Sequence, residues 1–187
     1  MKKVIFKSLV FSITFLFMQG NIIVAQDLQS AIKLTRSEQF CKADQIFKSI
    51  LEKNPGDGSI YFYYGENYLQ KYFSDTITYS YGEMADSAKI LFQKGIELYS
   101  DNPLNYVGLG EIELINKDTT QAQKHFEKAL SLLPSKTNKN SGLLKKEQAV
   151  VLIKMANAYL KAHTADSAMV FPLLRDAEKL DNKNFDL

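Results

Sequence analysis

The chain has 187 residues, 45% of them hydrophobic and 24% charged, which is the balance of a globular protein rather than of a disordered one. Of its 23 basic residues, three lie in the first 25 positions, which contain no acidic residue, so the remainder carries 20 basic residues against 21 acidic ones. We therefore expect no nucleic-acid partner, because the strong positive charge of such proteins is missing. The single cysteine, Cys41, cannot form an internal disulfide, so the fold must be held by its core.

The first 25 residues have the pattern of a secretory signal peptide. Residues 1–7 supply a positive start, residues 9–18 form a short apolar run, and Ala25 is a small residue at the expected cleavage point. An uncleaved membrane anchor is the alternative, but the apolar run is shorter than the ~20 residues that a spanning helix needs. We expect residues 1–25 to be removed, the rest to have no stable membrane span, and the protein to reach the periplasm or the outer membrane of a Gram-negative bacterium.

Three later segments share one helical face, in which a phenylalanine follows an alanine by four residues and a small or apolar residue follows by seven. They are Ala43, Phe47 and Ile50; Ala88, Phe92 and Gly95; and Ala122, Phe126 and Ala129. The last two sets are 34 residues apart, whereas the first and last are 79 apart, which is two periods of 34 plus 11 extra residues. The spacing places the extra residues in the second copy, within residues 70–84.

A second helical face precedes each of these segments. It contains Tyr61, Tyr64, Gly65 and Tyr68 in the second copy, and Tyr106, Leu109 and Gly110 in the third. With Pro134 closing the third copy, the pattern resembles the tetratricopeptide repeat, whose 34-residue signature places small and aromatic residues at these positions. The first copy adds Ala31, Leu34 and Pro55, and a fourth matches at Ala149, Leu152, Met155, Ala156 and Tyr159 and, after a two-residue slip, at Leu174 and Ala177.

The resemblance implies an all-α fold, a right-handed superhelical array of antiparallel helix pairs with about four repeats. The repeats are expected near residues 26–57, 58–102, 103–136 and 149–184, with an insertion at residues 70–84 of the second. Asp118, three residues before Gln121, is expected to cap a second helix. Because the fourth repeat ends without a capping helix, we also expect further repeats to follow Leu187 in the natural protein.

The resemblance also implies a binding surface, since the first helices of such arrays line a concave groove that holds a peptide or a partner helix. The groove positions follow the core face by one residue and form one stripe on each helix. They are Phe62, Glu66 and Leu69; Val107, Glu111 and Leu114; and Ile153, Asn157 and Leu160. The expected groove is apolar with two carboxylates; the alternative is that these side chains pack against further copies of the repeat or against each other.

The insertion is expected to form a loop with four aromatic residues, Tyr72, Phe73, Tyr79 and Tyr81. Aromatic side chains are enriched at the centres of protein interfaces, so this loop is a second candidate contact surface. The alternative, which we favour, is a loop that folds back and buries these rings on its own repeat.

Catalytic signatures are missing from the sequence, so we expect a non-enzyme without cofactor or metal. The two histidines, His125 and His163, occupy unrelated repeat positions. His125 is expected at the surface and Cys41 in the packing. The favoured function is a protein-binding scaffold of the cell envelope; the alternatives are an accessory module of a larger envelope enzyme and a glycan- or nutrient-binding component.

Overall fold

The computed structural model describes residues 27–53, 56–134, 142–162 and 167–181. The signal segment and the residues after 181, on which the expectation of further repeats depends, lie outside this part, as do Pro55 and His163. The described helices are α1 (residues 27–36), α2 (Phe40–Lys53), α3 (Gly58–Ser74), α4 (Tyr81–Leu98), α5 (Pro103–Ile115), α6 (Thr119–Ser131), α7 (Lys145–Lys161) and α8 (Ser167–Leu180). The described residues contain no strand, which agrees with the expected all-α class.

The chain divides into two compact units, Met1–Gly56 and Asp57–Leu187. The first unit contains α1 and α2, whose buried residues include Ala31, Ala43, Phe47 and Ile50. Cys41, expected in the packing, is instead exposed. It lies one residue after the buried Phe40, and a helix turns by about 100° per residue, so its thiol points away from the buried face.

The second unit contains three helix pairs, α3 with α4, α5 with α6, and α7 with α8, and each pair packs along its length. We refer to them as pairs 2, 3 and 4, and to α1 with α2 as pair 1. Pair 3 contacts pair 2 because α5 packs against both α4 and α3. These stacked pairs confirm the fold class that the repeat pattern predicts.

A clamp of two glycines and one ring joins pairs 2 and 3. Phe92 of α4 is fully buried, and a Cβ atom on Gly65 of α3 would lie 2.3 Å from its ring. A Cβ atom on Gly108 of α5 would lie 2.6 Å from the same ring. Only glycine leaves enough room for the ring at these two positions, so α3, α4 and α5 approach one another closely around it.

Caps and turns fix the helix ends. Asp118 Oδ1 accepts a hydrogen bond from Gln121 N at 3.0 Å, so the expected cap of α6 is confirmed. The turn before this cap has a backbone conformation that recurs in pair 1 and that the side-chain pattern did not reveal. Glu38 and Lys117, which are 79 residues apart, both have a positive φ, 59° and 65°. Each lies in the turn between the helices of a pair, where the next amide bonds back to a carbonyl five residues earlier.

The insertion does not form the expected loop. Its residues extend α3 to Ser74 and start α4 at Tyr81, so these helices have 17 and 18 residues, against 13 in each helix of pair 3. A short turn joins them, in which Asp75 Oδ1 accepts hydrogen bonds from Ile77 N and Thr78 N at 3.1 and 2.9 Å. Tyr72 of α3 and Tyr81 of α4 pack against each other across the added turns, with ring centroids 5.2 Å apart.

Candidate binding groove

The groove stripe on α3 and α5 is buried in the structure. Its members are Phe62, Glu66 and Leu69 on α3 and Val107, Glu111 and Leu114 on α5. On α7, Ile153 is buried, Asn157 is half-buried, and Leu160 is 46% exposed. The expectation of an open groove is therefore wrong for the positions on α3 and α5, and only the end of the α7 stripe reaches the surface.

Helix α7 covers part of the stripe, packing on α5 and reaching α3 through Lys154. Of the helices before it, α7 packs mainly against α5, and its contact with α6 includes Phe126 and Tyr159, whose ring centroids are 5.2 Å apart. Phe62, Val107 and Ile153 belong to one apolar cluster, which joins α3, α5 and α7. The array thus departs from regular stacking at pair 4, because α5 packs against the preceding α4 while α7 lies on the groove side of α5.

Two buried carboxylates hold α7 in this position. Lys154 Nζ of α7 lies 2.7 Å from both Oε1 and Oε2 of Glu66, and Lys161 Nζ lies 2.8 Å from Oε1 of Glu111. The Glu66 and Glu111 residues are only 6% and 2% exposed. Carboxylates this deeply buried require a cation, and α7 supplies one to each.

Aromatic rings lie beside the ammonium groups of both lysines. Lys154 Nζ lies 5.7 Å from the ring centroids of Phe62 and Tyr63, and Lys161 Nζ lies 5.4 Å from that of Phe73. At such distances a cation is attracted to the face of a ring. Burial alone would lower the pKa of Lys161, but the charges of Glu111 and Glu66 outweigh it and raise the pKa above the ordinary value.

The sequence interpretation missed Lys154 and Lys161. A signal was present, because the two lysines are seven residues apart and follow the groove stripe of α7 by one residue at each end. Residues at this spacing share a helical face, as the two carboxylates share a repeat position on α3 and α5. Their pairing links positions 88 and 50 residues apart in sequence.

The insertion aromatics pack on their own part of the fold. The ring of Tyr72 lies 5.2 Å from those of both Phe73 and Tyr81, and Lys71 Nζ lies 4.4 Å from the centroid of Tyr79. The hydroxyl of Tyr81 donates to Ile112 O at 3.4 Å, and burial raises the pKa of this phenol, with help from nearby Glu111. All four side chains are part-buried, so they pack at the ends of α3 and α4 and do not form an open aromatic surface.

Other candidate chemistry is sparse in the described residues. His125, expected at the surface, is half-buried, and burial lowers its pKa against an opposing effect of Glu113. Within the described ranges, no group of three histidine, cysteine or carboxylate side chains is placed to hold a metal ion. None of the helices described is both long and apolar enough to cross a membrane.

Comparisons with known proteins come from structure alone. No protein-family model matches the chain, and a search of curated proteins finds no match. Among solved structures, the crystal structure of the APC/C hetero-tetramer Cut9-Hcn1 matches with 16% identity and a TM-score of 0.40, over 85% of this chain and 34% of that chain. This chain thus spans about a third of the length of the chain it matches. By its own register and helix pairing, it is an all-α repeat protein that resembles the tetratricopeptide type.

Proposed function

We propose that this protein is a non-catalytic scaffold of the cell envelope that binds a helix or an extended peptide of a partner protein. The observation that carries the proposal is the way in which α7 packs on the stripe. The stripe on α3 and α5 accommodates an amphipathic helix by burying its apolar side and pairing Lys154 and Lys161. A surface with this shape and charge is suited to helix recognition, which is one of the common modes of peptide binding.

The signal-peptide pattern supports the envelope part of the proposal, which can be tested separately. The pattern of residues 1–25 predicts that the mature protein begins at Gln26. Cell fractionation and N-terminal sequencing of the processed form check this. A protein that keeps Met1 and stays with the inner membrane would contradict the envelope part of the proposal, while leaving the binding part open to its own test.

Site-specific photo-crosslinking in living cells tests the binding part. A photoreactive amino acid at Leu160, the exposed end of the groove stripe, is expected to give a discrete product with a partner protein. The same amino acid at Ile90, which is more exposed but lies on α4 away from the stripe, is the control. Equal products from both positions, or none from Leu160, would count against a binding surface at the groove.

The glycan alternative has weaker support. Sugar platforms need aromatic faces open to the ligand, whereas the rings of Tyr72, Phe73 and Tyr81 pack on one another and Tyr81 also bonds to Ile112. No observation on the described residues favours it over protein binding.

A further inference from the structure

We propose that α7 is a replaceable occupant of the groove, and that the partner is a helix carrying two cationic side chains seven residues apart beside an apolar stripe. This inference rests on the proposed function and names the chemistry of the partner. It begins with the connection before α7. Residues 99–102 join α4 to α5, whereas residues 132–144 join α6 to α7, so pair 4 is tied to pair 3 by a much longer segment.

Pair 4 is attached to the earlier helices mainly through one helix. Helix α8 packs against α7, and in the described residues α7 alone gives this pair an extensive contact with the helices before it. A pair held through one helix can separate while the remaining pairs stay folded, because the stability of repeat arrays is distributed over neighbouring interfaces. Pairs 2 and 3 are joined through two helices, because α5 packs against both α3 and α4 and contacts the buried ring of Phe92.

The charge of the groove defines what can replace α7. Without α7, the stripe would present Glu66 and Glu111 between apolar side chains such as Phe62, Leu69 and Leu114. A neutral or acidic helix would leave these carboxylates buried and unpaired, which is strongly unfavourable. A helix with lysine or arginine at positions matching Lys154 and Lys161 would restore both pairs, so the groove selects for basic amphipathic helices over other peptides.

A peptide of residues 143–162, blocked at both ends and fluorescently labelled, is the probe. We compare its binding to the wild-type chain and to the K154E/K161E chain, in which α7 is repelled from Glu66 and Glu111. Binding to the variant is expected to be about tenfold tighter or more, because the internal occupant no longer competes. A peptide with Lys154 and Lys161 changed to glutamate is expected to bind neither chain. K179E, which alters an exposed pair on α8, is the matched control and should bind like the wild type.

Hydrogen exchange of the wild-type chain gives a second, independent measurement, which covers the case in which K154E/K161E does not fold. The inference requires the α7 amides to exchange through a local opening while those of α3 and α5 remain protected. Equal protection of α7, α3 and α5, or a folded variant chain that binds the peptide no better than the wild type, would overturn it. A partner that crosslinks at Leu160 while the α7 amides keep their full protection would overturn it as well, because that partner would bind with α7 in place, while the scaffold proposal would stand.

Discussion

The glycine–phenylalanine clamp between pairs 2 and 3 makes a quantitative prediction about Gly65→Ala. The added Cβ atom would lie 2.3 Å from Cε1 of Phe92, whereas carbon atoms in good contact are about 3.5–4.0 Å apart. The ring must therefore move by more than an ångström, but α5 limits this movement, because even a Cβ atom on Gly108 would lie only 2.6 Å from the ring. We expect the substitution to lower the free energy of unfolding by about 1–3 kcal/mol, the usual cost of overpacking a core.

The same substitution should have the opposite sign once the ring is removed. Phe92→Ala alone should cost about 3–5 kcal/mol, because it leaves a cavity among three helices. In that background Gly65→Ala meets no ring, fills part of the cavity and gains up to about 1 kcal/mol of helix propensity. The double-mutant cycle should therefore show a coupling energy of about 2–3 kcal/mol between the two positions.

Urea denaturation of the four proteins, followed by far-ultraviolet circular dichroism, measures this coupling energy. Gly82→Ala is the control, because a Cβ atom there has only Ser80 Oγ nearby, at 3.8 Å. It should raise the free energy of unfolding by up to about 1 kcal/mol through helix propensity, with no packing cost. If Gly65→Ala costs the same with and without the Phe92 ring, the clamp is not what makes glycine necessary, and the reasoning is refuted.

Three further predictions concern the groove, its pH dependence and the turns. Lys161→Met should cost about 3–5 kcal/mol by leaving Glu111 buried without a cation, whereas Lys161→Met with Glu111→Leu should recover most of that loss in the same denaturation assay. Because the pKa of Tyr81 is raised in the folded state, its protonated phenol stabilises the fold below the ordinary pKa of 10.0, and this stabilisation is lost as pH rises toward the folded value. Tyr81→Phe should therefore flatten the fall in the free energy of unfolding above pH 10.0, and an unchanged slope would contradict this. Lys117→Gly should raise the melting temperature by relieving about 0.5 kcal/mol of left-handed strain, whereas Lys124→Gly inside α6 should lower it.

The sequence predicted the elements whose packing is local. Phe47, Phe92 and Phe126 are buried as the repeat register requires, and the cap at Asp118 forms, because each depends on neighbours within one helix pair or the next. The prediction for Cys41 failed, since its neighbour Phe40 takes the buried face instead.

The position of α7 could not be predicted from the repeat pattern. A period of 34 residues predicts regular stacking from one copy to the next, but the connection at residues 132–144 interrupts that period before pair 4. The contacts that hold α7, from Lys154 and Lys161 to carboxylates on two earlier repeats, are long-range and appear in no single copy. The sequence left open that further copies would cover the stripe, but it did not identify α7 as the covering helix.

The two ion pairs of the groove have a consequence for the alignment of α7 rather than for its attachment. An apolar stripe is nearly uniform along its length, so burial of Ile153 and its neighbours would change little if α7 slid along α5. A slide of one helical turn, about 5.4 Å, would carry both ammonium groups away from their carboxylates. Lys154 can pair with Glu66 while Lys161 pairs with Glu111 in one alignment of α7 only. The two ion pairs therefore fix the register of α7 along α5.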